Sequence, residues 1–493
     1  MDAADKQGGL GGGMLRSSGI WKLAVLSTAF WTLVFYVHSC MQGGDGVGSV
    51  LLKKSTSSPP PLLSSDIAGR RAPPHQQQEV QSQQSVTAPA DDDRCAGRYI
   101  YMYDMPPRFN DDLVRGCSKL SPWTDLCWVV ANCGMGTPLN DQGGFLQARG
   151  WYATDQFMLD IISHCRMKRY ECLTGDASRA AALYVPFYAA LDAGRYFFNS
   201  TSARDALPLD FADWLARRPE WQATGGRDHF MVAGRTSWDY RRKADVDEEW
   251  GNKLLNLPVM QNMTALILEE TSKTSRNTIP IPYPTYFHPE TAADVAAWQE
   301  KVRGAERKWL FSFVGGARPP SSHTVRAEII QQCDASSRCE HADCGSGACS
   351  WPSGVMRVFQ SSDFCLEPSG DTPTRRSTFD SIMAGCIPVF FQPDSAYTQY
   401  TLHLPKDPDS WSVLIMHTDI TGRNVSIEET LSKIPPEKVK AMREEVIRLI
   451  PKVVYADPRS SRVDFKDAFD VALEAVFDRV AKRRQGAATG DAN

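Results

Sequence analysis

The sequence predicts an α/β protein in which two Rossmann-like domains face a cleft, preceded by a transmembrane helix and a disordered stem. Strand-like and helix-like runs alternate twice along the chain, and a break near residues 285–305 separates the two series. Alternation of this kind is typical of parallel sheets covered by helices. An apolar run close to the amino terminus adds the membrane helix.

The predicted organisation has six parts, and only the fourth and fifth can build a core. They are a cytoplasmic tail (1–19), a transmembrane anchor (20–38), a disordered luminal stem (39–93), an N-terminal Rossmann-like domain (94–300), a C-terminal Rossmann-like domain (301–484) and a disordered tail (485–493). The stem holds a Pro-Pro-Pro run, a Gln-rich run and three consecutive Asp residues, a composition typical of an extended tether. The layout suits luminal transferases, lectins and proteases alike.

The anchor is predicted from residues 20–37, which are apolar apart from Lys22, three hydroxyl side chains and Tyr36. The run is slightly short for the ~20 residues of a typical span, but the Lys22 ammonium group can reach the interface. Basic residues precede the body of the run, so its amino end is expected to stay cytoplasmic. The alternative is a cleaved signal peptide, which residues 38–42 do not favour because they form no small-x-small site.

The charge and the cysteines limit the function classes. A net charge of −4 over 493 residues argues against nucleic acid as the main partner, because phosphate binding needs a basic surplus. Twelve cysteines follow Cys40, an even number that favours disulfides in an oxidising compartment over scattered reduced thiols. A zinc site at Cys333, Cys339, Cys344 and Cys349 is a weaker alternative, because the group lacks a CxxC pair. Three glycosylation sequons, at Asn199, Asn262 and Asn424, also favour the secretory lumen.

The body is predicted as two series of elements. The first has strands at 98–103, 182–188 and 229–232 and a helix at 153–165. The second has strands at 309–314, 364–366 and 386–391 and helices at 326–332, 437–449 and 465–480.

Residues 361–392 are the most informative segment. A strand ends in the tight turn 368–371, and Asp371 or Thr372 is predicted to cap a helix with Pro373 in its first turn. Gly385 supplies the left-handed stop before the next strand. The segment is therefore one βαβ unit, and its loop lies at the carboxyl edge of the sheet, where open α/β sheets bind ligands.

Basic residues open this helix. Arg375 and Arg376 oppose the helix dipole there, but they suit a diphosphate docked on the turn. Asp380, four residues after Arg376, and Glu367 are candidates for accepting sugar or ribose hydroxyls. The alternative is an ordinary surface helix whose Arg376 and Asp380 form an ion pair worth about 0.3–0.5 kcal/mol.

Seven segments across nearly the whole body carry distinctive motifs: YMYDMPPRFN at 101–110, ALYVPFY at 182–188, DHFMVAGRTSWD at 228–239, IPYPT at 281–285, LFSFVGG at 310–316, the segment 361–392, and VVYADPR at 453–459. Together they resemble the motifs of the plant exostosin-like inverting glycosyltransferases, and most of all those of their xyloglucan galactosyltransferase group.

The resemblance implies a GT-B fold, with the acceptor held by the N-terminal domain and a UDP-sugar donor held by the C-terminal domain. It implies no required cofactor or metal, a cell-wall polysaccharide acceptor, and a single-pass type II protein of the Golgi membrane with its body in the lumen. Association with other Golgi glycosyltransferases is an open alternative. Cys365 and Cys386 would lie on neighbouring strands, where they can pair. The pairs Asp245/Asp247 and Asp407/Asp409 lie in charged or Pro-rich loops and are interpreted as solvated rather than as manganese ligands.

The expected reaction is transfer of galactose from UDP-galactose to xylosyl side chains of xyloglucan. One alternative is another donor, such as UDP-galacturonic acid or UDP-arabinose, or another cell-wall acceptor. A second alternative is a non-catalytic luminal glycan-binding or scaffolding homologue.

Inverting transfer needs a base and a positively charged site for the leaving diphosphate. Asp239 is the candidate base, with His229 and Glu269 as rivals; the other interpretation of Asp239 is an ion pair with Arg241 or Arg242. Trp238 and Tyr188 are candidate acceptor contacts. The candidate donor-binding residues are Gly315, Gly316, Arg318, Glu367, Ser369, Gly370, Asp371, Arg375, Arg376, Ser377 and Asp380.

Overall fold

The first series of strands forms a six-stranded, wholly parallel sheet in the order β2-β1-β3-β4-β5-β6. The strands are β1 (Ile100–Met102), β2 (Leu173–Thr174), β3 (Ala182–Tyr184), β4 (His229–Thr236), β5 (Thr264–Glu269) and β6 (Thr278–Pro280). The central strands β4 and β5 are buried almost throughout. Near-continuous apolar runs of this kind suit parallel strands that are covered on both faces.

The second series forms a separate five-stranded parallel sheet in the order β11-β10-β9-β7-β8. Its strands are β7 (Trp309–Val314), β8 (Cys339–Ala342), β9 (Ser362–Glu367), β10 (Ile387–Phe390) and β11 (Val413–Leu414). The predicted fold class, a mixed α/β chain with two parallel sheets, is therefore confirmed. Strand β7 has the bounds that the sequence predicts.

The computed structural model describes residues 93–489 apart from 94, 122–123, 141–143, 148, 272–274, 319–324 and 350. The predicted cytoplasmic tail and anchor, and nearly all of the stem, lie outside the described residues. Within the described ranges, no helix has both the length and the apolar character needed to cross a membrane.

Helices connect and cover the strands. They are α1 (Asp111–Arg115), α2 (Cys127–Val130), α3 (Leu159–Met167), α4 (Ala189–Tyr196), α5 (Thr201–Ala216), α6 (Pro219–Thr224), α7 (Pro258–Asn262), α8 (Ala292–Arg303), α9 (Arg326–Ala335), α10 (Pro352–Gln360), α11 (Ser377–Met383), α12 (His417–Arg423), α13 (Ile427–Ser432), α14 (Pro436–Val453) and α15 (Ala468–Thr489).

Two helices join the halves of the body. Helix α8 follows the first sheet, and the Trp298 indole on it donates a 2.9 Å hydrogen bond to the Met383 carbonyl in the second half. Helix α15 returns to the first sheet, where Arg479 donates to the Thr278 carbonyl at 3.0 Å. Both sheets therefore lie in one compact unit. The domain boundary at residues 300/301 stays a prediction.

Several predicted boundaries differ from the structure, among them the start of one helix and the end of another. The helix expected from residue 153 begins at Leu159, because Asp155 accepts the Phe157 N–H in a turn at 2.8 Å and Thr154 donates to the Met135 carbonyl at 2.8 Å. Helix α15 continues through Thr489, past residue 485 where the predicted disordered tail begins.

All twelve cysteines after Cys40 form disulfides, as the even count predicts. The pairs are Cys95–Cys172, Cys117–Cys127, Cys133–Cys165, Cys333–Cys339, Cys344–Cys349 and Cys365–Cys386. Two of these pairs use the four cysteines considered for zinc, so that alternative is wrong. Cys365 and Cys386 pair across the neighbouring segments that the resemblance implied.

Candidate active site

A cavity of about 540 Å³ lies where the carboxyl ends of strands from both sheets meet. Thr236 at the end of β4 contributes one side, and the segment from Gly370 to Ser377, which follows β9, contributes the other. Open α/β sheets bind their ligands at this edge. The loop of the segment 361–392 therefore lines a cleft, as the sequence predicts.

Four arginines of the second half line the cavity, and we call Arg318, Arg326, Arg375 and Arg376 the basic wall. Backbone carbonyls hold two of them: Arg326 donates to Ser369 and Arg375 donates to Val314, both at 2.9 Å. The Arg318 guanidinium lies 2.8 Å from the exposed Asp371 carboxylate.

The basic wall carries more positive charge than its protein partners neutralise. Burial lowers the pKa of Arg326 to about 10, and the neighbouring Arg375 and Arg318 act in the same direction. Burial likewise lowers the pKa of Arg375. Arg326 Nε and Arg375 Nη1 are buried without a hydrogen-bond partner among the described residues. Buried donors are normally satisfied, so this arrangement favours an anionic ligand.

Arg376 differs from the other three because its partners lie on both halves. It donates to the Thr154 carbonyl, lies 3.6 Å from the centre of the Tyr286 ring, and sits 3.3 Å from Asp380. Asp380 is buried, which raises its pKa to about 6, and it does not line the cavity. The structure thus shows the i,i+4 pair that was the alternative interpretation, although the pair is buried.

The turn before α11 departs from the expected geometry. The helix begins at Ser377, not near Pro373. Thr372 donates its hydroxyl to Glu269 at 2.7 Å, and the Thr374 N–H donates to the same carboxylate at 2.9 Å. The turn therefore bonds to the end of β5 in the first half instead of continuing the helix.

The remaining donor-side candidates lie behind the cavity surface. Burial raises the pKa of Glu367 to about 7, with Arg375 opposing, and its carboxylate accepts the Ser377 hydroxyl. Gly315 and Gly316 form the turn after β7, and the Gly316 carbonyl accepts from Arg326 at 3.4 Å. A side chain at Gly315 would place its Cβ 2.5 Å from the Phe313 ring, so glycine is required there.

Asp239 is the candidate base that the structure places on the cavity. Trp250 Nε1 donates to Asp239 Oδ1 at 2.7 Å, and Arg235 lies 3.7 Å from Oδ2. Burial raises the pKa of Asp239, against the opposing effects of Arg235 and Trp250. Its alternative partners bind elsewhere, since Arg241 pairs with Glu270 and Arg242 pairs with Asp205.

The two rival bases do not line this cavity. His229 begins β4, at the opposite end from Thr236, and shares hydrogen bonds with Tyr103 at 2.8 Å and Asp228 at 2.9 Å. Glu269 is fully buried, which raises its pKa to about 7. It bonds to Tyr283 as well as to the turn before α11, so it ties the two halves together.

Aromatic rings cover the first-half side of the cavity, and we call Phe197, Phe198, Trp238 and Trp250 the aromatic wall. Trp250 stacks on both Trp238 and Phe197, with ring centres 5.2 and 4.5 Å apart. Tyr188, the other predicted acceptor contact, is buried outside the cavity and hydrogen bonded to His164 at 2.7 Å.

Sequence reasoning missed Arg326, Phe197, Phe198 and Trp250. Arg326 opens the helix that follows β7, so it stands at the same place in a βαβ unit as the loop of the segment 361–392. This position in the sequence also predicts that Arg326 lies on the cleft. Phe197 and Trp250 offered no local signal, because 53 positions separate them in the chain.

The carboxylate pairs considered for a metal have protein partners or lie in exposed turns. Asp245 bonds to Arg242 and Lys253, and Asp247 accepts the Thr201 N–H. In the part of the chain that the structure describes, one group of three potential metal ligands is close enough to share an ion. It contains Cys117 and Cys127, which form a disulfide with each other.

The fold and the cavity fit one class of enzyme: two parallel α/β sheets enclose a cavity lined by four arginines from one half and by a carboxylate beside aromatic rings from the other. The family model described as the Exostosin GT47 domain matches residues 94–431, and the chain belongs to this glycosyltransferase family. The family resemblance seen in the sequence is therefore confirmed.

The chain is similar to several Arabidopsis thaliana proteins. It is 51% identical over 401 residues to Xyloglucan galactosyltransferase MUR3, covering 81% of this chain and 65% of that protein. It is 46% identical over 397 residues to Probable xyloglucan galactosyltransferase GT12, covering 79% and 78%. It is 39% identical over 393 residues to Xyloglucan-specific galacturonosyltransferase 1, covering 79% and 58%.

Proposed function

We propose that this protein transfers galactose from UDP-galactose to xylosyl side chains of xyloglucan. The names of the relatives support galactosyl transfer to xyloglucan. The observation that carries the mechanism is the cavity between the two sheets. On one side it has buried arginine donors that lack a partner within the described part of the chain, and on the other it has Asp239 beside aromatic rings. We further propose that the two sheets are the two Rossmann-like domains of a GT-B fold.

The basic wall is the proposed site of the donor diphosphate. Arg318, Arg326 and Arg375 supply planar guanidinium donors, which suit two-point contact with phosphate oxygens. Negative charge builds on the diphosphate as its bond to the sugar breaks, so fixed positive charge at this position lowers the barrier. The wall therefore supports both donor binding and departure of UDP.

Asp239 is the proposed base. Its carboxylate lies on the cavity and Trp250 fixes its orientation. Its buried position raises its pKa, which favours proton uptake near neutral pH. The acceptor hydroxyl oxygen forms a bond to the anomeric carbon, the bond to the diphosphate breaks, UDP leaves with that electron pair, and Asp239 takes the hydroxyl proton. Attack from the side opposite the diphosphate inverts the anomeric carbon.

Transfer of galacturonic acid is the second candidate function. A relative named as a galacturonosyltransferase is 39% identical to this chain. The same basic wall would tolerate the additional carboxylate of that donor. The two candidates differ only in the contacts of the donor sugar.

We also propose that the protein is a single-pass type II protein of the Golgi membrane. Six disulfides favour an oxidising compartment. The side chains of Asn199, Asn262 and Asn424 are exposed and can accept glycans. Protease protection of the body in sealed Golgi vesicles, with loss of the protection in detergent, tests this topology.

The donor and acceptor are tested with the full-length protein in detergent. The protein is offered UDP-galactose, UDP-galacturonic acid and UDP-arabinose in turn, each with a xylosylated glucan oligosaccharide, and the products are identified by mass spectrometry. Galactose on a xylosyl residue is the expected product. A uronic acid or arabinose product instead overturns the donor assignment. Absence of both turnover and UDP binding indicates a non-catalytic homologue.

A further inference from the structure

The aromatic wall extends beyond the position of Asp239. Trp238 is 43% exposed and Phe198 is 74% exposed, although both are large hydrophobic side chains on the cavity. Trp250 links them, because it stacks on Trp238 and meets Phe198 edge-on with ring centres 6.0 Å apart. One half-buried ring, that of Trp250, therefore supports two exposed rings.

Polar groups lie among these rings. Arg235 lies between Phe157 and Phe197, with its guanidinium carbon 4.0 and 4.7 Å from the two ring centres. Gln156 also lines the cavity. A wholly apolar ligand would strip water from these groups without replacing its hydrogen bonds. A pyranose ring offers both an apolar C–H face for the aromatic rings and hydroxyl groups for the polar side chains.

The contacts of Trp250 with Trp238 and Asp239 indicate where each sugar would lie. Trp238 precedes Asp239 in the chain, and Trp250 both stacks on Trp238 and donates to the Asp239 carboxylate. A sugar on Trp238 would therefore present a hydroxyl near the proposed base. Phe198 belongs to the segment after α4 and contacts Trp250 on the same wall, so a neighbouring sugar of the same chain would lie against it.

We propose that the aromatic wall is an acceptor subsite at least two sugar rings long, with the reacting sugar on Trp238 and a neighbouring sugar against Phe198. The ligand class is a neutral, branched pyranose oligosaccharide. This inference rests on the proposed function and adds to it the recognition of acceptor length by Phe198.

The test compares methyl xyloside, a single ring that would occupy only the position on Trp238, with a xylosylated glucan heptasaccharide as acceptors for the full-length protein. Phe198→Ala is expected to raise KM for the heptasaccharide roughly threefold to tenfold, because it removes one aromatic contact. KM for methyl xyloside, KM for UDP-galactose and kcat are expected to stay at the wild-type values. Trp238→Ala is expected to raise KM for both acceptors.

Trp351→Ala is the matched control, since Trp351 is 72% exposed, belongs to the second half and does not line the cavity. Thermal melting identifies any variant that fails to fold. Phe198→Ala acts on the exposed side of the wall, so it is expected to melt like the wild type. The inference would be overturned if the ratio of KM for one acceptor to KM for the other is the same in Phe198→Ala as in the wild type.

Saturation-transfer NMR separates this inference from the proposed reaction. If the wild type makes no galactosylated product, the reaction assignment fails. Binding of the heptasaccharide that weakens in Phe198→Ala would still support the subsite. Undetectable binding by the wild type, or binding that Phe198→Ala leaves unchanged, would overturn it.

Discussion

The two sides of the cavity achieve their chemistry by opposite means. The basic wall comes from residues that follow β7 and β9, and backbone carbonyls of the second half hold two of its four guanidinium groups. The aromatic wall comes from segments far apart in the first half, and its rings hold one another and one carboxylate. One side carries excess positive charge and the other exposes apolar area beside a buried acid.

This difference suggests a division of labour. A diphosphate gains most from fixed charge, whereas a neutral sugar chain gains most from contact area and oriented hydroxyl acceptors. Substitutions on the two sides should therefore affect different kinetic constants.

Asp239→Asn removes the proposed base and should lower kcat by about 10²–10⁴-fold. UDP binding, measured by calorimetry, should stay near the wild-type value because the basic wall is intact. Asp210→Asn is the matched control, since Asp210 pairs with Arg108 on the exposed surface of the same half. Retention of most of the wild-type kcat in Asp239→Asn would place the base elsewhere.

Arg326→Ala and Arg375→Ala should each weaken UDP binding by roughly 10- to 100-fold, because a hydrogen bond to a charged group contributes about 1.5–3 kcal/mol. KM for UDP-galactose should rise with the dissociation constant of UDP, whereas KM for the acceptor should change little. Arg423→Ala, at an exposed pair with Asp419, is the control. Unchanged UDP affinity in both cavity variants would contradict the assignment of the basic wall.

Trp250→Phe keeps a stacked ring but removes the N–H that Asp239 accepts. That hydrogen bond stabilises the charged carboxylate, so its loss should raise the pKa of Asp239. Activity requires the deprotonated base and falls as the pH drops through this pKa. The acidic limb of the kcat/KM profile should therefore move to higher pH, by about one unit or less. An unshifted limb would show that this hydrogen bond does not tune the base.

Substitution of Glu269 tests the hydrogen-bonded contact between the two halves. Its pKa, raised by burial from 4.5 to about 7, means that the folded protein keeps a proton that the unfolded chain releases between these pH values. The contribution of Glu269 to the free energy of unfolding is therefore present below pH 4.5 and is lost as the pH rises to about 7. Glu269→Gln should reduce the slope of the free energy of unfolding against pH in this window, by up to the amount that corresponds to one bound proton.

Denaturant unfolding at several pH values measures this effect of Glu269→Gln. Glu367→Gln should give a similar change, because burial also raises the pKa of Glu367 to about 7. Glu248→Gln, at an exposed position, is the control variant. A wild-type slope in Glu269→Gln would contradict the protonation of this carboxyl group.

Local patterns gave most of the fold and the donor side of the site. The strand 309–314 and the turn after β9 follow from apolar runs bounded by Gly and Pro, which act over a few neighbouring residues. Arg318, Arg375 and Arg376 could be predicted because they follow strand ends directly, and a parallel sheet brings strand ends to one edge.

The acceptor side was less predictable. Trp238 and Asp239 follow β4 and were found for that reason, whereas Phe197 and Trp250 join them only through the fold. His229 has the residue type of a base but lies at the wrong end of its strand. Tyr188 is an aromatic residue of the type that stacks on sugar rings, but its side chain is buried.

The sequence by itself determined the parallel α/β architecture, the disulfide-bonded body, the family and the arginine-bearing turn, because hydrophobic period, cysteine count and motif spacing are local or additive properties. Only the tertiary structure decided which carboxylate reaches the cavity, where α11 begins and which rings form the aromatic wall. Those outcomes depend on hydrogen bonds and stacking between segments distant in the chain. One example is the hydrogen bond that the Glu269 carboxylate accepts from the Thr374 N–H.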